Sequence, residues 1–268
     1  MLRAVAPRSP MSDSHVERIR AQFTRQAEAY AGMPQTGDEA PLRGLVALAG
    51  TRPVDRVLDV ACGPGFLTMA FAAACASARG VDATPAFVER ARRVADERGL
   101  ANATFAQGDV NALPEPDARY DVVACRAAFH HFPDPARVLS EMRRVTRPGG
   151  TLLVADLLGS DDPVQAELHD RIERLCDPTH VRALPGSEFE ELFRAQRLEL
   201  LRAPRGEMHY DVEEWIAHGG PDADTAARIR SLLEQSQPGD GAGLGVHWRD
   251  GRLRIRHRTA AFQLRRPE

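Results

Sequence analysis

The chain has 268 residues, 43% of them hydrophobic and 27% charged, with a formal net charge of −3. That composition excludes extended disorder and a collagen-like fibre, and it can bury the core of one large domain or two small ones. No run of about 18 apolar residues occurs, so no membrane-spanning helix is expected, and the slight acidity argues against a general polyanion binder.

Residues 1–14 lack the apolar stretch of a signal peptide and read as a floppy leader, with Met11 as an alternative start. Residues 15–30 carry Val16, Ile19, Phe23, Ala27 and Tyr30 on one helical stripe. Asp38 can cap a second helix, in which Leu42, Leu45, Val46 and Ala49 recur before Gly50. Val57 to Ala61 form a short apolar strand that runs into Cys62-Gly63-Pro64-Gly65, and the Ala-rich stretch 66–76 suits a crossover helix. A second strand ends at Val81-Asp82. Thr84-Pro85 then starts a helix with Phe87, Val88, Ala91, Val94 and Ala95 on its buried face, stopped by Gly99. Thr104 to Ala106 is a third strand, followed by Gly108-Asp109-Val110, and Asp121 to Cys125 is a fourth. Asp134-Pro135 opens another helix, and Arg147-Pro148-Gly149-Gly150 turns into a fifth strand, Thr151 to Ala155.

Five strand–helix alternations with short connections predict a parallel sheet with helices on both faces. From about residue 158 the alternation lapses. Helices are expected at 162–176, 187–195, 211–218 and 222–235, a strand at 197–203, and strands near 243–249 and 252–264 around the hairpin signal Asp250-Gly251. Gln237 to Gly245 reads as a Gly-rich surface loop. The four cysteines, at 62, 75, 125 and 176, show no C-x-x-C spacing and read as free thiols in a reducing cytoplasm.

Ligands of such sheets bind beyond the carboxyl ends of the strands. Gly63-x-Gly65 lets backbone N–H groups approach a ligand closely. A nicotinamide site wants G-x-G-x-x-G/A, and Thr68 stands at the last position. Asp82, at the end of strand two, can accept both hydroxyls of a ribose. Asp109, at the end of strand three, can accept the exocyclic amine of an adenine while the backbone of Val110 reaches a ring nitrogen. Two acids on successive strand ends suit an adenosine without phosphates, because a pyrophosphate would be repelled.

Asp59-Val60-Ala61-Cys62-Gly63-Pro64-Gly65, Gly80-Val81-Asp82, Gly108-Asp109-Val110, Tyr120-Asp121-Val122-Val123, Phe129-His130-His131-Phe132 and Arg147-Pro148-Gly149-Gly150 together resemble the class I S-adenosylmethionine-dependent methyltransferases. The branch they look most like is typified by the ubiquinone/menaquinone biosynthesis C-methyltransferase. The resemblance covers residues 20–160 well and the remainder loosely. It implies a Rossmann-like, doubly wound α/β fold whose mostly parallel, seven-stranded sheet ends in an antiparallel last strand near 252–264, under a helical lid. Residues 15–268 would form one domain: a lid at 15–50, a cofactor-binding half at 54–157, and substrate-side helices and final strands at 158–268. The resemblance further implies that Asp59, Ala61, Gly63 and Gly65 line the methionine moiety of S-adenosylmethionine. Asp82 would hold its ribose, Phe87 would lie near the adenosine, and Asp109 and Val110 would read the adenine. The backbone carbonyl of Arg126 would take the ammonium, and Tyr30 would lie over the cofactor.

Methyl transfer from a sulfonium is an in-line displacement with a good leaving group, so positioning supplies much of the rate. A base is needed only when the acceptor carries a proton that must leave. His130 and His131 follow strand four and are the base candidates; the Phe132-Pro133 that follows His131 makes it the weaker. Asp156, at the end of strand five, faces the same rim. His169, His180 and His209 read as lid or surface histidines. No spacing diagnoses a metal, and none is expected. Arg252, Arg254, Arg256 and Arg258 alternate along the last strand and read as a solvated face rather than a nucleic-acid surface. The expectation is therefore a cytoplasmic methyltransferase acting on a small molecule. The alternatives are a non-methylating protein that binds the same cofactor (a sensor, a partner subunit or an enzyme of other sulfonium chemistry) and a nicotinamide oxidoreductase, which Thr68 and Asp109 disfavour.

Overall fold

The computed structural model describes residues 17–24 and 39–268. Residues 17–24 are helical (α1) and are followed by α2 (Glu39–Leu48). The alternating part comprises β1 (Arg56–Val60), α3 (Phe66–Ala72), β2 (Ser77–Asp82), α4 (Pro85–Glu97), β3 (Ala103–Gln107), β4 (Tyr120–Arg126), α5 (Pro135–Val145) and β5 (Thr146–Leu157). The rest comprises α6 (Pro163–Cys176), α7 (Gly186–Ala195), β6 (Glu199–Arg202), β7 (Arg205–Asp211), α8 (Val212–Gly219), α9 (Ala223–Ser236), β8 (His247–Arg249) and β9 (Arg252–Arg265). The leader, Tyr30 and Asp38 lie outside the described residues. Among the described residues no helix is long and apolar enough to cross a membrane.

The sheet is α/β and mostly parallel, as expected, but it has nine strands among the described residues rather than seven. Its order is β3-β2-β1-β4-β5-β9-β6, with β7 and β8 also paired to β9. Strands β3, β2, β1, β4 and β5 run parallel, and β9 is antiparallel to β5. The unexpected strand is β7. Its sequence RGEMHYD buries only Asp211, so neither alternation nor an apolar run marks it. It forms because β9, 14 residues long, runs past β5 and offers Arg254 to Ala260 as a second edge. Strand β8 covers 247–249 only, shorter than expected.

Central strands are buried on both faces, as parallel strands under helices must be. Val57, Val122, Ala124 and Leu153 pack against α2 and α3 through Leu42, Val46, Leu67 and Phe71. Leu58, Val60, Val123, Cys125, Leu152 and Val154 face the other way, onto Val138, Leu139 and Met142 of α5 and Phe189 and Phe193 of α7. A separate apolar cluster joins Ile172, Trp215, Ile216, Ile229 and Leu233 to Leu253 and Ile255. It also takes in Ala242 and Leu244, both 0% exposed, so Gln237 to Gly245 is no surface loop: two of its side chains are core. All four cysteines are buried and free.

Candidate active site

Two features build the turn after β1. Gly65 has φ of 83°, and a Cβ there would meet Phe105 at 2.6 Å and Ala91 at 2.9 Å, so both backbone and packing exclude any larger residue. Ala61, at the end of β1, has φ of 55°, and Ala127, just past β4, has φ of 52°. Both central strands thus end in a left-handed alanine. That conformation costs a non-glycine residue of order 1–3 kcal/mol.

These turns border a cavity at the carboxyl ends of β1, β2 and β4. Asp59, Ala61, Gly63, Asp82, Phe87, Asp109, Val110 and Arg126 all line it, so the two acids that sequence reasoning paired share one crevice. Gly65 shapes the turn without being in the lining. The lid side comes from α1: Ile19 and Phe23 line the cavity, and Arg20 Nε donates to the Ala83 carbonyl at 3.0 Å. The Phe23 ring lies 5.6 Å from Phe87 and 5.4 Å, edge-on, from His131.

The acids are held differently. Asp82 is buried; its Oδ2 accepts from Gly63 N and its Oδ1 from Thr84 N, both at 2.8 Å. Each oxygen keeps a lone pair for a ligand hydroxyl. Burial raises the Asp82 carboxyl, against the N–H groups of Thr84 and Gly63. Asp59 accepts from Thr68 Oγ1 at 2.7 Å. Burial pushes its carboxyl up to about 7, against that hydrogen bond and the nearby Arg126 charge. Asp109 is exposed, and its Oδ1 accepts from the backbone and side-chain N–H groups of Asn111 at 2.9 and 2.8 Å. Thr68 is therefore the partner of the buried acid, not only a departure from the nicotinamide motif. Residue spacing gives no sign of this, because a strand, a turn and one helical turn must fold before the two side chains meet.

The two histidines after β4 are placed in the opposite sense to the sequence expectation. His131 lines the cavity, whereas His130 does not. His130 Nδ1 lies 2.6 Å from Asp156 Oδ1, and Asp156 also accepts from the N–H groups of Ala128, Phe129 and Leu157. Burial opposes charge on His130, but the Asp156 carboxylate outweighs it and the net shift is upward. Burial, with the His130 charge, pushes His131 down to about 3, so its imidazole is neutral at pH 7. His169 and His180, expected at the surface, are 2% and 4% exposed; His209 is exposed. His180 Nε2 bonds to Asp170 at 2.8 Å, which anchors the segment before α7.

Beside this cavity lies a larger chamber. Arg126 and Ala127 line both. Its other walls are Leu45 and Leu48 of α2, Ala155, Asp156 and Leu157 at the end of β5, and Pro204 to His209 around β7. The row of arginines on β9 is ion-paired to its neighbours: Arg252 with Asp211 at 3.2 Å, Arg254 with Asp211 at 3.7 Å, and Arg256 with Glu207 at 2.8 Å.

Comparison with known proteins adds a lineage to this geometry. The family described as "Methyltransferase domain" matches residues 52–199, more than half of the chain. A Bacillus subtilis protein named uncharacterized methyltransferase YcgJ is 34% identical over 214 residues, covering 80% of this chain and 85% of its own. The 27-O-demethylrifamycin SV methyltransferase of Amycolatopsis mediterranei is 36% identical over 206 residues, covering 75% of this chain and 73% of its own. The crystal structure of YcgJ superposes with a TM-score of 0.81 at 31% identity, over 85% of this chain and 99% of that one.

Proposed function

This chain belongs to the methyltransferase domain family, and on that premise we propose that it transfers a methyl group from S-adenosylmethionine to a small-molecule acceptor. One observation carries the reading: a crevice edged by buried acids shares the Arg126–Ala127 turn with a second chamber whose wall is largely apolar. When bound, S-adenosylmethionine supplies an electrophilic methyl on a sulfonium, with no phosphate. The crevice suits that group. Asp59 and Asp82 are buried acids whose hydrogen-bond partners are a hydroxyl and two backbone N–H groups, so a cationic ligand would find uncompensated carboxylates there.

In this reading Asp82 accepts the ribose hydroxyls, while Asp109 and the Val110 backbone read the adenine. Asp59, with Ala61, Gly63 and Gly65, shapes the end that takes the methionine moiety, and the Arg126 carbonyl receives its ammonium. Phe87 and Phe23 cover the adenosine and exclude water. Tyr30, which lies outside the described residues, keeps the role over the cofactor that the family resemblance implies.

The acceptor lies in the second chamber, against Leu45, Leu48, Leu157 and Met208. Asp156 holds the turn after β4 through the N–H groups of Ala128 and Phe129 and through His130, which makes the His130–Asp156 pair a positioning pair. His131 stands nearer the site, but burial holds its imidazole neutral and weakly basic, with Nδ1 3.2 Å from the Thr179 carbonyl oxygen, so it lines the cavity rather than taking a proton. A small-molecule acceptor accords with the relative named for 27-O-demethylrifamycin SV.

The test uses S-adenosylmethionine labelled in its methyl group, the whole chain and a size-fractionated metabolite extract. Label should move to low-molecular-weight products. Label appearing only in protein or nucleic acid, or cofactor binding with no transfer to any fraction, would overturn the reading.

A further inference from the structure

Away from both cavities, three buried side chains converge inside the carboxyl-terminal core. His169 and Glu173 stand four residues apart on one face of α6, and His257 reaches them from β9, 84 residues further along the chain. They are 2%, 7% and 3% exposed, and one donor atom from each lies within 4.8 Å of the others. Glu173 Oε1 is 2.6 Å from His257 Nε2 and 3.6 Å from His169 Nε2. His169 Nε2 is buried and, among the described residues, makes no hydrogen bond. The surroundings are apolar, with Trp215 beside His257.

We propose that His169, Glu173 and His257 form a zinc site that clamps α6 to β9. Two imidazole nitrogens and one carboxylate oxygen match the nitrogen-rich, borderline-soft set this ion takes. Ligand bonds of about 2.0–2.2 Å set donor-to-donor distances of about 3.3 Å in a tetrahedron whose fourth corner a water would fill, close to the His169–Glu173 separation of 3.6 Å. The Glu173–His257 pair opens by less than about 1 Å to admit the ion. The proton shared by that pair leaves to solvent as Nε2 and Oε1 each give a lone pair to the metal. His169 Nε2, which has no hydrogen bond among the described residues, gains a direct bond to the metal. The bond adds a link between distant segments, so the effect is on the stability of the carboxyl-terminal layer.

Chelator-stripped full-length protein, titrated with zinc alone, should bind one equivalent and melt at a higher temperature. Cobalt(II) in its place should give the visible bands of a tetrahedral site. His169→Ala removes the ligand whose Nε2 has no hydrogen bond among the described residues, so this variant should still fold and bind S-adenosylmethionine. It should lose zinc affinity by on the order of a hundredfold or more, and with it the thermal shift. Glu173→Gln should do the same. No binding and no cobalt bands in the stripped wild type would overturn the proposal, leaving a hydrogen-bonded triad. So would zinc affinity that survives His169→Ala, since the metal would then sit elsewhere.

Discussion

Buried acids beside the crevice and in the closed core are balanced in different ways: Asp55, Glu115, Glu141 and Asp156 of the amino-terminal half are paired with Arg52, Arg79, Arg144 and His130, whereas Asp59 and Asp82 rest on a hydroxyl and backbone N–H groups. In the amino-terminal alternating half, Asp59 and Asp82 sit at strand ends beside a cavity, and burial drives both carboxyls upward, Asp59 to about 7. In the carboxyl-terminal layer each buried acid has a resident basic partner: Glu173 has two histidines, Asp170 has His180, and Asp211 has Arg252 and Arg254. Burial raises the Asp211 carboxyl too, but two backbone N–H groups and Arg252 hold it below its ordinary value. The contrast separates charges kept for a ligand from charges that hold the fold together. A strand end open to a crevice can leave its compensation to an incoming cation, whereas a closed core must compensate during folding.

The largest expected effect tests whether the second half is purely structural. Ile229 is 0% exposed in the carboxyl-terminal cluster, so Ile229→Ala should cost about 2–5 kcal/mol in urea unfolding. Calorimetric affinity for S-adenosylmethionine should stay within twofold. A large loss of affinity would break the contrast, because it would couple that core to the crevice.

Next in size is Asp82→Ala. It removes a carboxylate able to receive two ribose hydroxyls, each hydrogen bond to a charged group being worth about 1.5–3 kcal/mol. Cofactor affinity should fall about a hundredfold or more. Unchanged affinity would remove the ribose assignment.

The smallest effect is the most specific. Asp59 has a folded-state pKa above its unfolded value, so its contribution to the stability of ligand-free protein is present below about pH 4 and is lost as pH rises through about 7. A ligand of net positive charge needs the carboxylate form. Affinity for S-adenosylmethionine should therefore rise with pH up to about 7, with a slope approaching about tenfold per pH unit well below it. Asp59→Asn should flatten that dependence. If it persists in the variant, another group titrates.

The strand–helix alternation and the positions of the acids were legible because they are local. Buried strands show as Val57 to Val60 and Val122 to Cys125, and caps and breaks show as Thr84-Pro85 and Gly63-x-Gly65. The seven-strand expectation failed at β7, whose polar sequence is recruited only by the overlong β9. The histidines misled for a similar reason. His130 and His131 are adjacent in sequence, and only the turn tied down by Asp156 decides that His131 meets the cavity and His130 does not.

Side-chain period, capping and glycine turns act over a few residues, so the sequence by itself determined the α/β class and the order of the strand-end acids. Tertiary structure decided what required distant segments to meet: Thr68 on Asp59, β7 on β9, the second chamber beside the first, and His257 on α6. The physical reason is that those contacts depend on loop closure and shared burial between distant segments, 84 residues apart for Glu173 and His257, which no local pattern encodes.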